Sequence, residues 1–257
     1  MFSRYSDRMK ARSAALLLTI DGRLHRILQA WLLLAGLAAA LRIGLTTPVG
    51  PVAELSTAGS YLLLVFAPVA STLLALRWFR SGHSLPQPGT RLARVGRWRA
   101  VPRVEAERHS LYGASGIMVS LLVGMMLNVP VRGLEYLAAM PPVPQAAPAW
   151  FSTLHFAMTF DVVLFGSLYM IAFVAALRRV PLFPRLLLAI WVGDLAMQLA
   201  TAELVTATGN VPAGVAEALH ALLEGNVKKV LISMALWLPY LLLSTRVNVT
   251  YRHRIPA

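Results

Sequence analysis

The chain has 257 residues, of which 57% are hydrophobic and 14% are charged, and its formal net charge is +13. Its mean hydropathy is +0.63, and its apolar share exceeds the roughly 45–50% that is typical of soluble domains. This excess predicts lipid-facing surface and therefore a polytopic membrane protein. Because the sequence contains no cysteine, it excludes a disulfide framework, a thiolate zinc site and a cysteine nucleophile. The positive charge falls in short segments between apolar runs, as in cytoplasmic loops, which argues against nucleic acid as a partner.

Residues 1–26 are polar and basic and predict a cytoplasmic tail, with a short interfacial helix as the alternative. The first span is predicted over residues 27–45. A signal peptide is the other interpretation of this run, but the long preceding segment favours a span. A second span is predicted over residues 60–79, with a kink at Pro68.

The most basic segment of the chain follows the second span, and its prolines and glycines predict a loop. Residues 27–106 are thus predicted to form a two-helix membrane unit with an arginine-rich cytoplasmic loop. Anionic lipid headgroups are the expected partners, since each basic residue near a membrane surface contributes about 1 kcal/mol. The candidate headgroup-binding residues of the whole chain are Arg91, Arg94, Arg97, Arg99, Arg178, Arg179, Lys228 and Lys229.

A third span is predicted over residues 111–131. Gly116, Ser120 and Gly124 recur there at intervals of four and share one helical face. Small residues at this spacing let a neighbouring helix approach closely, so helix packing is favoured over a pore-lining face.

Spans four and five are predicted over residues 151–177 and 186–205. Prolines and arginines separate the two runs, which indicates a turn at the membrane surface. Asp194 lies nine residues beyond Arg185, about 13 Å along a helix, and is therefore predicted near the bilayer midplane.

An amphipathic helix at the membrane interface is predicted next, over residues 212–225, before a sixth span at 227–244. Its polar face carries Glu217, His220 and Glu224, and His155 is predicted on the same side of the membrane. These residues suit a metal site, but a solvated polar face has the same pattern and is favoured, so no metal or cofactor is expected.

Six spans with both termini in the cytoplasm are the arrangement that places every arginine-rich segment on one side. Arg132 and the Lys228–Lys229 pair are exceptions on the opposite side. The predicted fold is an all-α polytopic bundle, N-in and C-in. Arginine greatly outnumbers lysine, which points to a GC-rich bacterium and its inner membrane.

The ionisable residues within or beside the spans form the candidate intramembrane set: Asp194, Asp161, Arg42 and Glu203. Helix lengths place Arg42 and Asp161 at matching depth near the outer rim, which allows an ion pair between them. Lys228 and Lys229 have Glu203 or outer headgroups as expected partners. Asp194 is either neutralised by a polar neighbour or used to handle a proton or ion.

An intramembrane aspartyl protease would need Asp161 and Asp194 to share one site. Their predicted depths differ by about 12 Å, and Trp191 stands where a glycine is usual in such enzymes. Neither this reaction nor a metal-dependent one is favoured, so the chain is expected not to be an enzyme.

The C-terminal half resembles the domain-of-unknown-function 2569 family of small bacterial membrane proteins. The resemblance rests on FVAALRRVPLFPR at 173–185, LLLAIWVGDL at 186–195 and LWLPYLLLSTRVNVTYRHR at 236–254. It covers residues 107–254 and implies a four-helix membrane domain, but no activity, cofactor or substrate. Asn248 stands where the family often has lysine.

The leading functional hypothesis is a non-enzymatic membrane protein that acts as a scaffold or binds lipid, another membrane protein or itself. The alternative is transport of a small solute or proton, with Asp194 as the coupling group. A transporter needs a polar cavity that water reaches near the midplane. A scaffold needs Asp194 sealed against a polar neighbour.

Overall fold

The structure is a computed structural model that describes residues 2–45, 54–89, 92 and 96–257, with side chains from residue 11 onward except that of Glu54. The predicted all-α membrane bundle is confirmed: six helices of the described chain are long and apolar enough to span a bilayer. The helices are α1 (Phe2–Leu45), α2 (Glu54–Trp78), α3 (Arg103–Arg108), α4 (Met118–Ala139), α5 (Ala149–Leu177), α6 (Phe183–Thr206), α7 (Ala213–Leu243) and α8 (Thr245–Arg252). A 3-10 turn (Gly82–Ser84) and two short strands, β1 (Trp98–Ala100) and β2 (Arg254–Pro256), complete the described elements.

Helix α5 is the centre of the bundle and contacts α2, α4 and α6. It is the most apolar of the six long helices, and every residue from Ala172 to Ala176 is buried. A helix that is apolar on all sides can be surrounded by other helices as well as by lipid. The sequence of α5 is therefore compatible with its place in the middle of the fold, while α7 packs mainly on α6 at the edge.

The predicted N-terminal tail is instead the first part of α1, which runs without interruption from Phe2. Leu17, Ile20 and Leu24 are buried in the same hydrophobic cluster as residues of α4 and α5. These positions recur at intervals of three and four, so they form one apolar stripe along a helix. The stripe anchors the basic segment to the bundle.

The predicted interfacial helix and sixth span are likewise one helix, α7. Gly225 was expected to end the first segment, yet it lies in the middle of α7. A glycine inside a helix costs only about 1 kcal/mol, which packing of the flanking turns on α6 offsets.

The arginine-rich segments meet at one end of the bundle, here called the arginine-rich end. Ser13 accepts a hydrogen bond from Gly116 N, and Arg178 pairs with Asp21. Strand β2 pairs antiparallel with β1, in the register Arg99↔Ile255. Both the loop before α4 and the C-terminal segment are thus fastened to the same end as the α5–α6 turn.

Residues that carry the family resemblance make these connections. The buried Tyr251 hydroxyl donates to Ala176 O at 2.9 Å, and Gly113 N donates to Thr250 Oγ1 at 3.0 Å. The Arg246 guanidinium donates to Leu111 O, Gly113 O and Ser115 Oγ. The C-terminal motif therefore holds α8 against the rest of the arginine-rich end.

Candidate functional site

A cluster of charged side chains lies buried between α4, α5 and α6, and Arg132 is at its centre. Arg132 Nη1 donates to Asp161 Oδ2 at 2.7 Å, and Nη2 donates to Asp194 Oδ2. Arg132 Nε donates to Asn128 Oδ1 at 3.0 Å, one turn earlier on α4. A planar guanidinium can meet several acceptors at once because its N–H groups form a rigid fork. We call these residues and Gln198 the Arg132 cluster.

Gln198 joins the two carboxylates from the other side. Its Nε2 donates to Asp161 Oδ1 at 3.0 Å and to Asp194 Oδ1 at 3.2 Å. Asp194 and Gln198 are four residues apart on α6, so they lie on the same face of the helix. Each carboxylate is therefore bonded through both of its oxygens.

Aromatic rings close the cluster on the side of the arginine-rich end. Tyr169 donates its hydroxyl to Asp194 Oδ2 at 3.3 Å. The Phe165 and Tyr169 ring centroids lie 5.2 and 5.9 Å from Arg132 Cζ. Asp194 has no exposed surface and Asp161 is 7% exposed. The charges are thus screened from lipid by protein on every side but one.

The remaining side leads through polar residues to the opposite end of the bundle. Asn226 on α7 donates to Gln198 Oε1 at 3.2 Å and accepts from Lys229 at 3.3 Å. Lys229 also pairs with Glu135. A cavity of about 10 Å³ lies between the cluster and this pair, which is room for about one water molecule.

Sequence reasoning missed Arg132 because it assigned this residue to a loop. The predicted third span ended at Val131, whereas α4 continues to Ala139. Pro130 lies inside the helix and removes one backbone hydrogen bond without ending it. The signal that identifies the longer helix is the apolar pattern that resumes after Arg132, where Gly133, Tyr136 and Leu137 are buried.

The predicted difference in depth between the two aspartates was also wrong. Asp161 was placed near the outer rim and Asp194 near the midplane, yet both bond to one guanidinium. Helix α5 extends to Ala149 and α6 begins at Phe183, so both residues lie near the middle of their helices. Both carboxylates also accept from Gln198 Nε2, so they do not differ in depth by the predicted distance of about 12 Å.

The ion pair between Arg42 and Asp161 is not formed, because Asp161 is bound by Arg132 instead. Arg42 donates to Ala138 O at 3.4 Å. Glu203 is exposed and is not the partner of either lysine. Lys228 pairs with Glu224, and Lys229 with Glu135.

The small residues of span three do not form the predicted packing face within the chain. Gly116 precedes α4 and has φ +71°, and a Cβ there would lie 3.5 Å from Arg246 Nε. Ser120 and Gly124 are exposed, and a Cβ at Gly124 would meet no described atom within 4 Å. The close approach is at Gly133, where a Cβ would lie 3.0 Å from Trp31 on α1.

The predicted headgroup-binding arginines have diverse surroundings. Arg91 and Arg94 lie outside the described residues. Arg97 is exposed, Arg99 pairs with Glu105, and Arg178 pairs with Asp21. Arg179 lies 5.2 Å from the centroid of the Tyr112 ring.

An apolar groove of about 570 Å³ runs between α6 and α7 toward the opposite end of the bundle. We call it the α6–α7 groove. Its apolar walls include Leu199, Ala202, Val205, Leu219, Leu223 and Val227. His220, Glu224 and Lys228 stand along its edge, and Gln198 of the Arg132 cluster lies at its inner end.

The four residues considered for a metal site do not come together. His155 contacts Tyr136 and Phe151, while Glu224 pairs with Lys228. Among the described residues, no group of three or more histidine and carboxylate side chains is arranged to hold a metal ion.

Comparison of the chain with protein-family models, with curated proteins and with solved structures gave no match.

Proposed function

We propose that this protein is a non-enzymatic membrane protein that binds a membrane lipid in the α6–α7 groove, while the Arg132 cluster holds the bundle together. The observation that carries the proposal is the groove itself. It lies between two long apolar helices, and aliphatic side chains form most of its walls, with polar and charged side chains at its edge and inner end. A concave apolar site of several hundred cubic ångströms is typical of small-molecule binding.

The chemistry of the groove favours a lipid acyl chain as its occupant. Both walls belong to helices that face hydrocarbon, so acyl chains are the molecules that meet its opening. His220 at the edge lies in the first third of α7 and Lys228 lies at its middle, and the long lysine side chain can extend toward a charged headgroup at the membrane surface. This arrangement fits a phospholipid with its chain in the groove and its headgroup at the rim.

The surroundings of Asp194 favour a structural role for the Arg132 cluster. A buried ion pair remains charged only when hydrogen bonds satisfy its other atoms. Here the fork of Arg132 and the amide of Gln198 supply those bonds to both carboxylates. The cluster ties α4, α5 and α6 together at the level where hydrocarbon would otherwise surround the charges.

An aspartyl protease is less well supported. The two aspartates do share a site, contrary to the depth argument, but Arg132 lies between them and bonds to both. Peptide hydrolysis by such a pair requires one shared proton and space for the peptide. The adjoining cavity of about 10 Å³ holds neither a peptide nor more than about one water.

Proton-coupled transport stays the second candidate, because one observation favours it. The Arg132 cluster contains two carboxylates and one guanidinium, so it carries one excess negative charge when all are ionised. A polar chain through Asn226, Lys229 and Glu135 connects it to the opposite end. If transport is the function, proteoliposomes with an internal pH dye will show proton flux that Asp194→Asn abolishes.

Lipid retention in detergent tests the leading proposal. Ala202→Phe fills the α6–α7 groove, whereas Ala235→Phe adds the same ring to an exposed position of α7 outside it. We expect native mass spectrometry to find co-purified phospholipid on the wild type and on Ala235→Phe, with less on Ala202→Phe. Equal retention by all three proteins would contradict lipid binding in the groove.

A further inference from the structure

A second cavity, of about 450 Å³, opens at the arginine-rich end of the bundle. Its walls come from α1, from the loop after α2, from the segment before α4 and from the α5–α6 turn. We call it the Arg80 pocket. The lining residues that determine its charge and polarity include Leu17, Asp21, Arg80, His83, Arg178 and Arg179.

The Arg80 pocket carries an excess of positive charge. Three guanidinium groups line it, and Asp21 is its one carboxylate among the described residues. Asp21 is already paired with Arg178 at 3.2 Å. Within the described part of the chain, Arg80 and Arg179 form no salt bridge, so their charge is available to an anion.

The fold holds the pocket walls in fixed positions. Gly82 lies so close to the α5–α6 turn that a Cβ there would be 2.6 Å from Val180 Cγ2 and 3.0 Å from Arg178 O. This contact places the turn that bears Arg80 and His83 against Arg178 and its neighbours. Only a residue without a side chain permits so close an approach.

Arg179 shows backbone strain at the same place. Its φ is 56°, in the left-handed region that residues other than glycine adopt at a cost of about 1–3 kcal/mol. The conformation directs its guanidinium over the face of Tyr112, at 5.2 Å from the ring centroid. The position thus combines a strained backbone with an arginine side chain at the rim of a cavity.

The location and the mixed walls define the chemistry of the ligand. The pocket lies where α2 and α5 end, so it sits at the boundary between apolar helix and polar loop. Ala14, Leu17 and Leu18 of α1 supply apolar surface to the pocket, and the three arginines supply guanidinium groups. Arginine is suited to phosphate because its fork matches two phosphate oxygens.

We propose that the Arg80 pocket binds the phosphate group of an amphipathic phosphate ester, with Arg80 and Arg179 as its ligands. The phosphate lies between the two guanidinium groups and the apolar part lies along α1. The source of the phosphate is either a lipid headgroup or a free phosphate compound. This site is at the other end of the bundle from the α6–α7 groove and does not depend on it.

Binding of soluble probes to the full-length protein in detergent tests the proposal. The probes are dioctanoyl phosphatidic acid, dioctanoylglycerol, which has the same chains without the phosphate, and inorganic phosphate, and isothermal titration calorimetry measures their affinity. The test variant is Arg80→Gln/Arg179→Gly. Glycine suits the left-handed backbone at residue 179, so this variant is expected to fold as well as the wild type. The control is Arg26→Gln/Arg77→Gln, which removes two exposed charges outside the pocket.

We expect phosphatidic acid to bind the wild type and the control equally, and to bind the test variant at least about tenfold more weakly, as loss of two charged hydrogen bonds implies. Binding of phosphatidic acid alone assigns the site to a lipid headgroup. Additional binding of inorganic phosphate assigns it to the phosphate group whatever its carrier. Absence of binding by both anionic probes, equal binding of dioctanoylglycerol, or an equal loss in the control would overturn the proposal.

Discussion

At the scale of single residues, the stability of the fold depends on the hydrogen bonds that each buried charged side chain forms. The charge of Arg132 is compensated because its guanidinium donates to Asp161, Asp194 and Asn128 at the same time. Lysine would not replace it, since an ammonium group is a point charge without a fixed fork. The chemistry of one side chain therefore decides how three membrane helices meet.

Two other buried arginines, both on α8, differ in their partners and give a matched prediction. Arg246 bonds to two carbonyls and a hydroxyl. Arg252 bonds to Asn248, while its buried Nη2 has no acceptor among the described residues. Burial, with Arg254 and Arg185 nearby, lowers the pKa of Arg252 to about 10, so it stays charged at neutral pH at a cost to folding.

Arg246→Met should therefore lower the free energy of unfolding by about 2–4 kcal/mol, because it leaves buried carbonyls without donors. Arg252→Met should leave that free energy unchanged or raise it. Thermal unfolding in detergent, followed by circular dichroism, measures both variants. A similar loss in the two proteins would show that α8 is not held by the hydrogen bonds of Arg246.

At the scale of helices, hydropathy was sufficient to predict six spans but not to place their ends. An apolar run that is long enough to cross a bilayer can be recognised from its composition alone. The ends of α1, α4 and α7 were wrong because polar residues inside a helix resemble loop residues when their partners are unknown. Arg132 looked like a loop arginine since its carboxylates lie on helices 29 and 62 residues further along the chain.

The glycines of α4 allow a prediction about how α4 meets α1. A Cβ at Gly133 would lie 3.0 Å from the Trp31 ring, whereas Gly124 faces open space. Trp31 also donates to Val65 O at 2.9 Å, so displacing its ring would break that bond. Gly133→Leu should lower the free energy of unfolding by about 1–3 kcal/mol, and Gly124→Leu should not.

Chemical unfolding of the two leucine variants in mixed micelles measures this difference. If Gly124→Leu is the less stable protein, the exposed face of α4 is a packing surface, as the spacing of Gly116, Ser120 and Gly124 originally indicated. Self-association of the chain through that face would then be the explanation to examine.

At the scale of the whole molecule, the gathering of arginine-rich segments at one end supports the predicted N-in, C-in orientation. The absence of cysteine makes the orientation directly testable. Ser84→Cys lies at the arginine-rich end and Ala207→Cys at the opposite end, and both positions are exposed. A membrane-impermeant maleimide should label Ala207→Cys in right-side-out vesicles and Ser84→Cys only in inside-out ones. The reverse pattern would invert the topology.

The candidate site was predictable in part. Asp161 and Asp194 were identified because carboxylates inside apolar runs need partners, but the partners came from parts of the chain that no local pattern links. The α6–α7 groove and the Arg80 pocket depend on which helices are neighbours. Sequence periodicity shows which face of a helix is apolar, but it does not show which other helix covers that face.

The central claim is that the Arg132 cluster is a structural clamp, and a double-mutant cycle between Arg132→Met and Asp194→Leu tests it most directly. Arg132→Met leaves two buried carboxylates without their guanidinium, so it should lose about 3–5 kcal/mol of unfolding free energy. Asp194→Leu leaves Arg132 paired with Asp161, so it should lose less. The double variant should lose clearly less than the two losses combined. Losses that add to within about 0.5 kcal/mol would mean that the two residues do not stabilise the fold as a pair.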